Sequence, residues 1–338
     1  MKNKKTSPVT LAMVAQRAGV SPSTVSRVLN GTAVVSEAKS VAISSAIATL
    51  GFSPNPVARG LAGGRTMSIG VITQALDSPF YGAALRGIET ELQCAGYNAL
   101  FVSGQWNAIE EARCIDLLRA RRVDGIIVLT GRLSDQQLKQ CAKSVPVVVT
   151  GRTLKAPGLY AVNFDNFNGA RLATEHLLSL GHQQIVFIAG AADHPDAEER
   201  QRGYRAALDA ARVRIDPALI VNGNYNEDSG ADAIAMLLKR RRRFSAVFAA
   251  NDQMALGAIL SLHQHGLRIP EDVAVIGFDD LPACAYSYPP LSSIRQPALE
   301  TGQIAARALL QLLQGNKATG QIPPPALVVR QSTTVPTA

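Results

Sequence analysis

Two hydrophobic rhythms divide this chain. Up to about residue 50 the apolar positions recur at helical spacing, and from Ser68 onward short apolar runs alternate with amphipathic stretches. In the first region Leu11, Val14, Ala15 and Ala18 fall at i, i+3, i+4 and i+7. That spacing predicts a short helix opened by a Thr10 cap and closed at Gly19, where a left-handed residue fits best. Val20 offers an apolar plug for the turn. Ser21 is a second cap, Pro22 suits a first helical position, and Val25, Val28 and Leu29 stripe a helix over 22–29 that Asn30-Gly31 ends. A third helix, about 36–50, closes the unit with Val41, Ile43, Ile47 and Leu50. Two short helices joined by a Gly-containing turn make helix-turn-helix geometry, whose second helix enters the major groove of DNA.

The second rhythm is different. Apolar runs at 69–72, 99–102, 125–129 and 145–149 predict buried strands, separated by helices at about 80–95, 107–121 and 134–143. A second series follows, with strands at 185–188, 219–221, 246–249 and 273–276 and helices at about 167–180, 197–211, 228–240 and 253–265. Short buried strands alternating with helices imply doubly wound parallel sheets, and two such series imply two similar lobes. The expected fold is a small all-α head followed by an α/β core of two lobes. Between head and core, Asn55 and Pro56 can start a helix that Gly63-Gly64 must end. So short a helix is unstable alone, and Gly60 costs a further ~1 kcal/mol relative to Ala. It is expected to order only when docked on DNA and on its twin from a second subunit.

Charge sharpens the reading of the head. The first 66 residues hold eight Lys/Arg and one acidic residue, Glu37, whereas the remainder holds 26 Lys/Arg against 25 Asp/Glu. Nearly all of the net +8 therefore sits on the small helical unit, the electrostatic footprint of phosphate-backbone binding. The four cysteines, Cys94, Cys114, Cys141 and Cys284, are scattered and form no CxxC pair, so neither a zinc site nor a disulfide framework is indicated, and reduced thiols are expected. Lys2, Lys4 and Lys5 precede no apolar stretch of signal-peptide kind, and no apolar run reaches the ~18 residues of a membrane helix. A soluble, cytoplasmic protein without a membrane partner is expected. There is no GxGxxG, no GxxxxGK[ST] and no GxSxG, and the one close histidine pair, His263 and His265, cannot share a helix face. Nothing here nominates an enzyme, a metal or another cofactor. The run Arg240 to Arg243 ends a predicted helix and is read as a solvated helix terminus rather than a second DNA contact.

The wording Val20-Ser-Pro-Ser-Thr-Val-Ser-Arg-Val-Leu-Asn30-Gly31 closely resembles the recognition-helix signature of the LacI/GalR family of bacterial transcription regulators. Pro54, Asn55, Ala58, Arg59 and Leu61 resemble that family's hinge helix. In the core, Asp77-Ser-Pro-Phe-Tyr81 resembles its Asn-Pro-Phe segment with Ser78 in place of Asn. Asn166 to Arg171, Arg200 to Tyr204, Asn251 to Gly257, Gly277 to Asp280 and Pro289 to Ile294 resemble further family segments. The resemblance implies a core of the periplasmic binding protein type I fold, its lobes joined by crossovers near 163–166, 293–296 and 325–329. It divides the chain into a head at 1–53, a hinge at 54–66 and an effector-binding and dimerisation core at 67–338. Within that core it implies an N-lobe of about 67–164 and 295–326 and a C-lobe of about 165–294 and 327–338. It further implies a repressor that binds a palindromic double-stranded DNA operator as a homodimer under the control of a small effector, a sugar or sugar acid. Some family members end in a leucine heptad that makes tetramers, and no such repeat precedes Ala338.

Candidate DNA contacts in the head are Thr10, Ser21, Ser23, Thr24, Ser26, Arg27 and Asn30. In the hinge, Asn55 and Arg59 would hold phosphate or groove floor, and by resemblance Leu61 is a wedge for the minor groove. Effector candidates follow from position. Ligands of open α/β sheets sit beyond the carboxyl ends of strands, where Asp77, Asn251 and Asp279 fall, and Arg200 lies early in a helix. Arg and Asp suit vicinal hydroxyls, while Phe80 and Tyr225 offer aromatic faces to sugar C–H groups. The resemblance assigns effector binding to Arg200, Asn251 and Asp279 and ligand stacking to Tyr225. Asn251 and Asp252 serve equally as caps of the next helix, Tyr81 reads as core, Asp280 reads as structural, and Arg152 is a further candidate. A periplasmic solute-binding protein, or a repressor with a non-sugar co-repressor, remains the alternative.

Overall fold

The computed structural model describes residues 9–29, 35–52, 64–191 and 194–333. The chain divides into two compact units, 1–67 and 68–338. In the first, α1 (Leu11–Arg17), α2 (Pro22–Leu29) and α3 (Glu37–Leu50) enclose Val14, Ala15, Val25, Ile43 and Ala46. Thr10 Oγ1 accepts the Met13 N–H at 3.4 Å, and Gly19 turns the chain at φ +64°. One expectation fails: Val41 is 64% exposed. It lies two residues, or about 200°, round the helix from Ile43, so Ala46 takes its place in the stripe Ile43, Ala46, Ile47, Leu50. Asn30 and the whole 53–63 stretch, with Asn55, Arg59 and Leu61, lie outside the described residues.

The second unit has two sheets. The first runs in the order β2-β1-β3-β4-β5, with β1 (Ser68–Thr73), β2 (Asn98–Ser103), β3 (Gly125–Val128), β4 (Val147–Thr150) and β5 (Leu159–Val162), all parallel. Helices α4 (Pro79–Cys94), α5 (Ala108–Ala120) and α6 (Asp135–Ala142) connect its strands. Next come α7 (Asn166–Ser179), β6 (Ile185–Ala189), α8 (Pro195–Ala210), β7 (Ile220–Asn222), α9 (Glu227–Lys239), β8 (Ala246–Ala249), α10 (Asp252–Gln264) and β9 (Ala274–Asp279). With β10 (Ser292–Arg295) and β11 (Ala326–Val328) these strands make the second sheet, β11-β10-β9-β8-β6-β7, in which only the β10–β11 pair is antiparallel.

The chain crosses between lobes three times. It leaves the first lobe between β5 and α7, and returns after β10 to lay α11 (Ala298–Leu313) on the first lobe. Tyr160 Oη donates to Gly320 O at 2.7 Å, which holds the segment after α11 on the first lobe before β11 rejoins the second. Arg295 and Ala326 therefore both belong to the second sheet. The pattern reading had no β5, β10, β11 or α11. Strand β10 begins with two serines that are fully buried, Ser292 and Ser293, so its burial is invisible in an apolar pattern. Helix α11 completes the first lobe: Leu309 fills the space a Cβ would need at Gly125 of β3.

Helix pairs in this unit meet through reciprocal glycines. A Cβ on Gly87 of α4 would overlap Leu299 O, and one on Gly302 of α11 would overlap Ala84 O. In the second lobe Gly230 of α9 faces Met254 O and Gly257 of α10 faces Glu227 O in the same way. Backbones in such contact bring Cα–H groups onto carbonyls and pin helix positions tightly.

Candidate functional site

The carboxyl ends of both sheets open on one interlobe cleft. It holds a cavity of about 320 Å³, at the lower end of the roughly 300–1,000 Å³ common for small-molecule sites. All six residues named from the sequence line it: Asp77 and Phe80 from the first lobe, and Arg200, Tyr225, Asn251 and Asp279 from the second.

Arg200 is buried at 4% exposure because its neighbours are acceptors. Its Nε donates to Asn166 Oδ1 at 2.8 Å, Nη2 donates to Gln296 Oε1 at 2.9 Å, and Nη1 donates to Ala250 O. The guanidinium lies 3.8 Å from the Phe278 ring centre, with Asp279 Oδ1 at 4.0 Å from Nη2. Asn166 and Gln296 stand at two of the three crossings, so one side chain ties both crossings to the cavity wall. Asp279 ends β9 at φ +117° and Asp280 follows at φ +57°, a tight turn in the left-handed region. The turn separates the two carboxylates. Asp280 accepts Arg295 Nε at 2.8 Å and Arg330 Nη2 at 2.7 Å, which is a structural arrangement, while Asp279 lines the cavity. Burial pushes the Asp279 carboxyl well above its ordinary range, against the pull of Arg200.

Asn251 caps α10 through Oδ1, accepting Met254 N–H at 3.0 Å, and donates from Nδ2 to Tyr225 O at 2.9 Å. It therefore holds the Tyr225 loop as well as lining the cavity. Tyr225 has φ +71°, and its ring fills the space a Cβ would take at Gly190. Burial raises its hydroxyl pKa, so the phenol stays protonated. Tyr81 is core, at 8% exposure, yet also borders the cavity. Arg152 does not line this cavity. Its Nη1 donates to Asp135 Oδ1 at 3.0 Å and its Nη2 to Gly131 O at 2.7 Å, at the edge of a neighbouring hollow.

The sequence reading missed several cavity residues, chief among them Trp106, His194, Asp196 and Glu227. Trp106 lies in the turn beyond β2, and His194 and Asp196 open α8; nothing in the sequence marks this turn and this helix start as facing the cavity. Asp196 is a second carboxyl that burial pushes up, opposed first by Arg200. The cavity is thus richer in carboxyls (Asp77, Asp196, Glu227 and Asp279) than in cations.

In the head, Ser21 accepts the Thr24 N–H at 3.2 Å and pairs with Ser23 Oγ at 2.9 Å and Thr24 Oγ1 at 2.8 Å. At 100° per residue Ser23 and Arg27 lie on the side of α2 opposite buried Val25, and half-buried Thr24 and Ser26 sit on its two flanks. Ser23 and Arg27 are exposed, and so is the Thr10 cap.

Comparison with known proteins adds three kinds of likeness. Residues 10–55 match the model for bacterial regulatory proteins of the lacI family, and residues 174–333 match that for a periplasmic binding protein-like domain. The HTH-type transcriptional regulator CelR of Thermobifida fusca is 38% identical over 316 residues, covering 90% of this chain and 92% of its own. Among solved structures, a CelR–cellobiose complex aligns with TM-score 0.71 and 36% identity, over 96% of this chain and 99% of that one. A lac repressor dimer bound to operator and the anti-inducer ONPF aligns with TM-score 0.87 and 31% identity, over 97% and 100%.

Proposed function

This chain belongs to the LacI family of bacterial regulatory proteins and is a DNA-binding transcriptional regulator; from that premise we propose that it is a cytoplasmic, non-catalytic repressor, active as a homodimer, whose grip on a palindromic operator is set by a neutral carbohydrate bound between its lobes. The observation that carries the effector reading is the cavity itself. One guanidinium, several carboxyls and the rings of Phe80, Tyr225 and Trp106 converge on a space of about 320 Å³. Carboxyl-rich walls accept hydrogen bonds from hydroxyls and offer only one guanidinium to pair with a carboxylate ligand, so an uncharged sugar suits them better than a sugar acid. CelR, a relative, is known in complex with cellobiose, which supports the same class.

In this reading Ser23 and Arg27 face the major groove, flanked by Thr24 and Ser26. Thr10, Ser21 and Asn30 approach phosphates, and Asn55, Arg59 and Leu61 act in the hinge at the operator centre. Effector binding changes the angle between lobes only if one arrangement binds it more tightly. The two crossings held by Arg200 are where that angle is set. The test is a search for bound DNA with the purified full chain, followed by titration of sugars against the complex by fluorescence anisotropy. Salt-sensitive preference for a palindrome, relieved by one sugar, is the expected result. No preference over bulk DNA under any condition would refute the reading. Leu61→Ala is expected to lower operator affinity by 100-fold or so with the core's unfolding midpoint unchanged, measured by anisotropy and thermal melting.

A further inference from the structure

The turn after β2 is built at some cost. Gln105 and Trp106 stand consecutively at φ +52° and +54°, a region two adjacent non-glycine residues seldom share. The turn is locked from several sides. Gly104 N–H donates to Thr73 O at 2.8 Å, and Asn107 caps α5, accepting Ile109 N–H at 2.9 Å. Gln74, 2% exposed, accepts the Trp106 N–H at 3.0 Å while its own amide donates to Thr130 O at 2.6 Å. Buried Glu111 braces the neighbouring loop by accepting the N–H groups of Arg132 and Leu133 at 2.9 and 3.0 Å. Strained backbone that surrounding structure over-determines is a mark of functional placement.

What the turn places is the chain's single tryptophan. Its ring centre lies 3.7 Å from that of His194, which belongs to the opposite lobe, and 6.0 Å from Tyr81 of its own. His194 in turn stands 5.6 Å from Tyr225. Four rings thus form a row across the cavity, and the Trp106–His194 step is where the row passes from lobe to lobe.

We propose that Trp106 and His194 are the two walls of a slot that admits one pyranose ring, and that Trp106 thereby selects sugars whose ring substituents are all equatorial, as in β-glucosides. This rests on the carbohydrate reading of the cavity. An all-equatorial pyranose presents C–H groups on both faces and its hydroxyls at the rim, so both faces can lie on aromatic rings. An axial hydroxyl would be pressed against indole without a hydrogen-bond partner, which is costly for a buried polar group. A ring with van der Waals contact on both sides needs walls roughly 7–8 Å apart, two contact distances in series. The present 3.7 Å separation must therefore widen as the sugar enters. Occupancy of the slot and the angle between lobes are then the same event.

The test uses the full chain and the emission of its one tryptophan. The probes are methyl β-D-glucopyranoside and methyl β-D-galactopyranoside, which differ by one axial hydroxyl, with cellobiose as a two-ring probe. The glucoside is expected to shift the emission and to bind at least tenfold more tightly than the galactoside. Trp106→Ala, followed by thermal shift, is expected to lose about tenfold for the glucoside, and Trp106→Phe to recover part of it. Without any sugar, His194→Ala is expected to change the emission because the ring tilted against the indole at 45° is gone. Equal affinity for the two epimers, or undiminished glucoside binding in Trp106→Ala, overturns the slot and leaves the carbohydrate reading standing. If none of a broad panel of neutral sugars binds the wild-type chain, both fall. Should Trp106→Ala fail to fold, the Phe variant and the epimer comparison decide alone.

Discussion

At Arg200 three hydrogen bonds to Asn166, Ala250 and Gln296 leave one hydrogen on each terminal nitrogen for a ligand. Lysine has the charge but not the planar fork. Arg200→Lys is expected to cost on the order of 1–3 kcal/mol in denaturant unfolding and to abolish sugar binding in calorimetry, because buried acceptors at two crossings lose their donors. Gly190 offers a subtler probe. A methyl group there would occupy the place of the Tyr225 ring, so Gly190→Ala is expected to weaken sugar binding tenfold or more while the thermal midpoint moves by only a few degrees. Asp252 gives a pH signature. Its carboxyl accepts Ser293 Oγ at 2.6 Å and Leu281 N at 2.7 Å, yet burial wins and pushes it up to about 6. The folded state then holds this proton where the unfolded chain, with an ordinary carboxyl near 4, has released it. This group's contribution is full below about pH 4 and is lost as pH rises to about 6. Unfolding free energies measured over that window should show a decline that is flatter in Asp252→Asn.

Among the elements, the helices with the clearest 3.6-residue stripe were the most legible. Helix α2 runs over the residues its caps and stripe predict, because Ser21, Pro22 and Val25 each act locally. Helix α11 was not read, and neither were β5, β10 and β11. Their reasons for folding are distant: α11 is positioned by α4 through Gly87 and Gly302, and β10 by the hydroxyl bonds of Ser292 and Ser293 to Ser332, Thr333 and Asp252. Reciprocal glycine contacts predict a sharp sensitivity. Gly257→Ala in α10 must push α9 away, and overpacking of this kind costs roughly 1–3 kcal/mol or more. Thermal denaturation is expected to fall by several degrees, whereas alanine at exposed Gly82 of α4, which meets nothing, should leave the midpoint the same or slightly higher.

For the whole molecule, charge partition was plain in composition: the basic head and the near-neutral core are separate units. The residues gathered round the cavity were legible where they sit at strand ends, and illegible where the cavity draws on a turn, as at Trp106, or on a helix start, as at His194 and Asp196. Sequence order carries no sign of which turn faces the other lobe. The same partition separates two salt responses. DNA binding through the head should weaken by roughly 10³-fold or more between 50 and 200 mM salt, as counterion release demands. Binding of an uncharged sugar in the same buffers should change little, and titrations of each ligand across that salt range check the pair.

The position of α11 has a consequence for how this protein is born. The first lobe's own strands emerge from the ribosome early, but the helix that roofs β3 and β4 is encoded only after the entire second sheet except β11. At ordinary elongation rates that leaves the nascent lobe bare on one side for on the order of ten seconds. A premature stop codon just beyond β10 would therefore spoil the half of the core made first, and neither half can be excised as a single uninterrupted gene fragment.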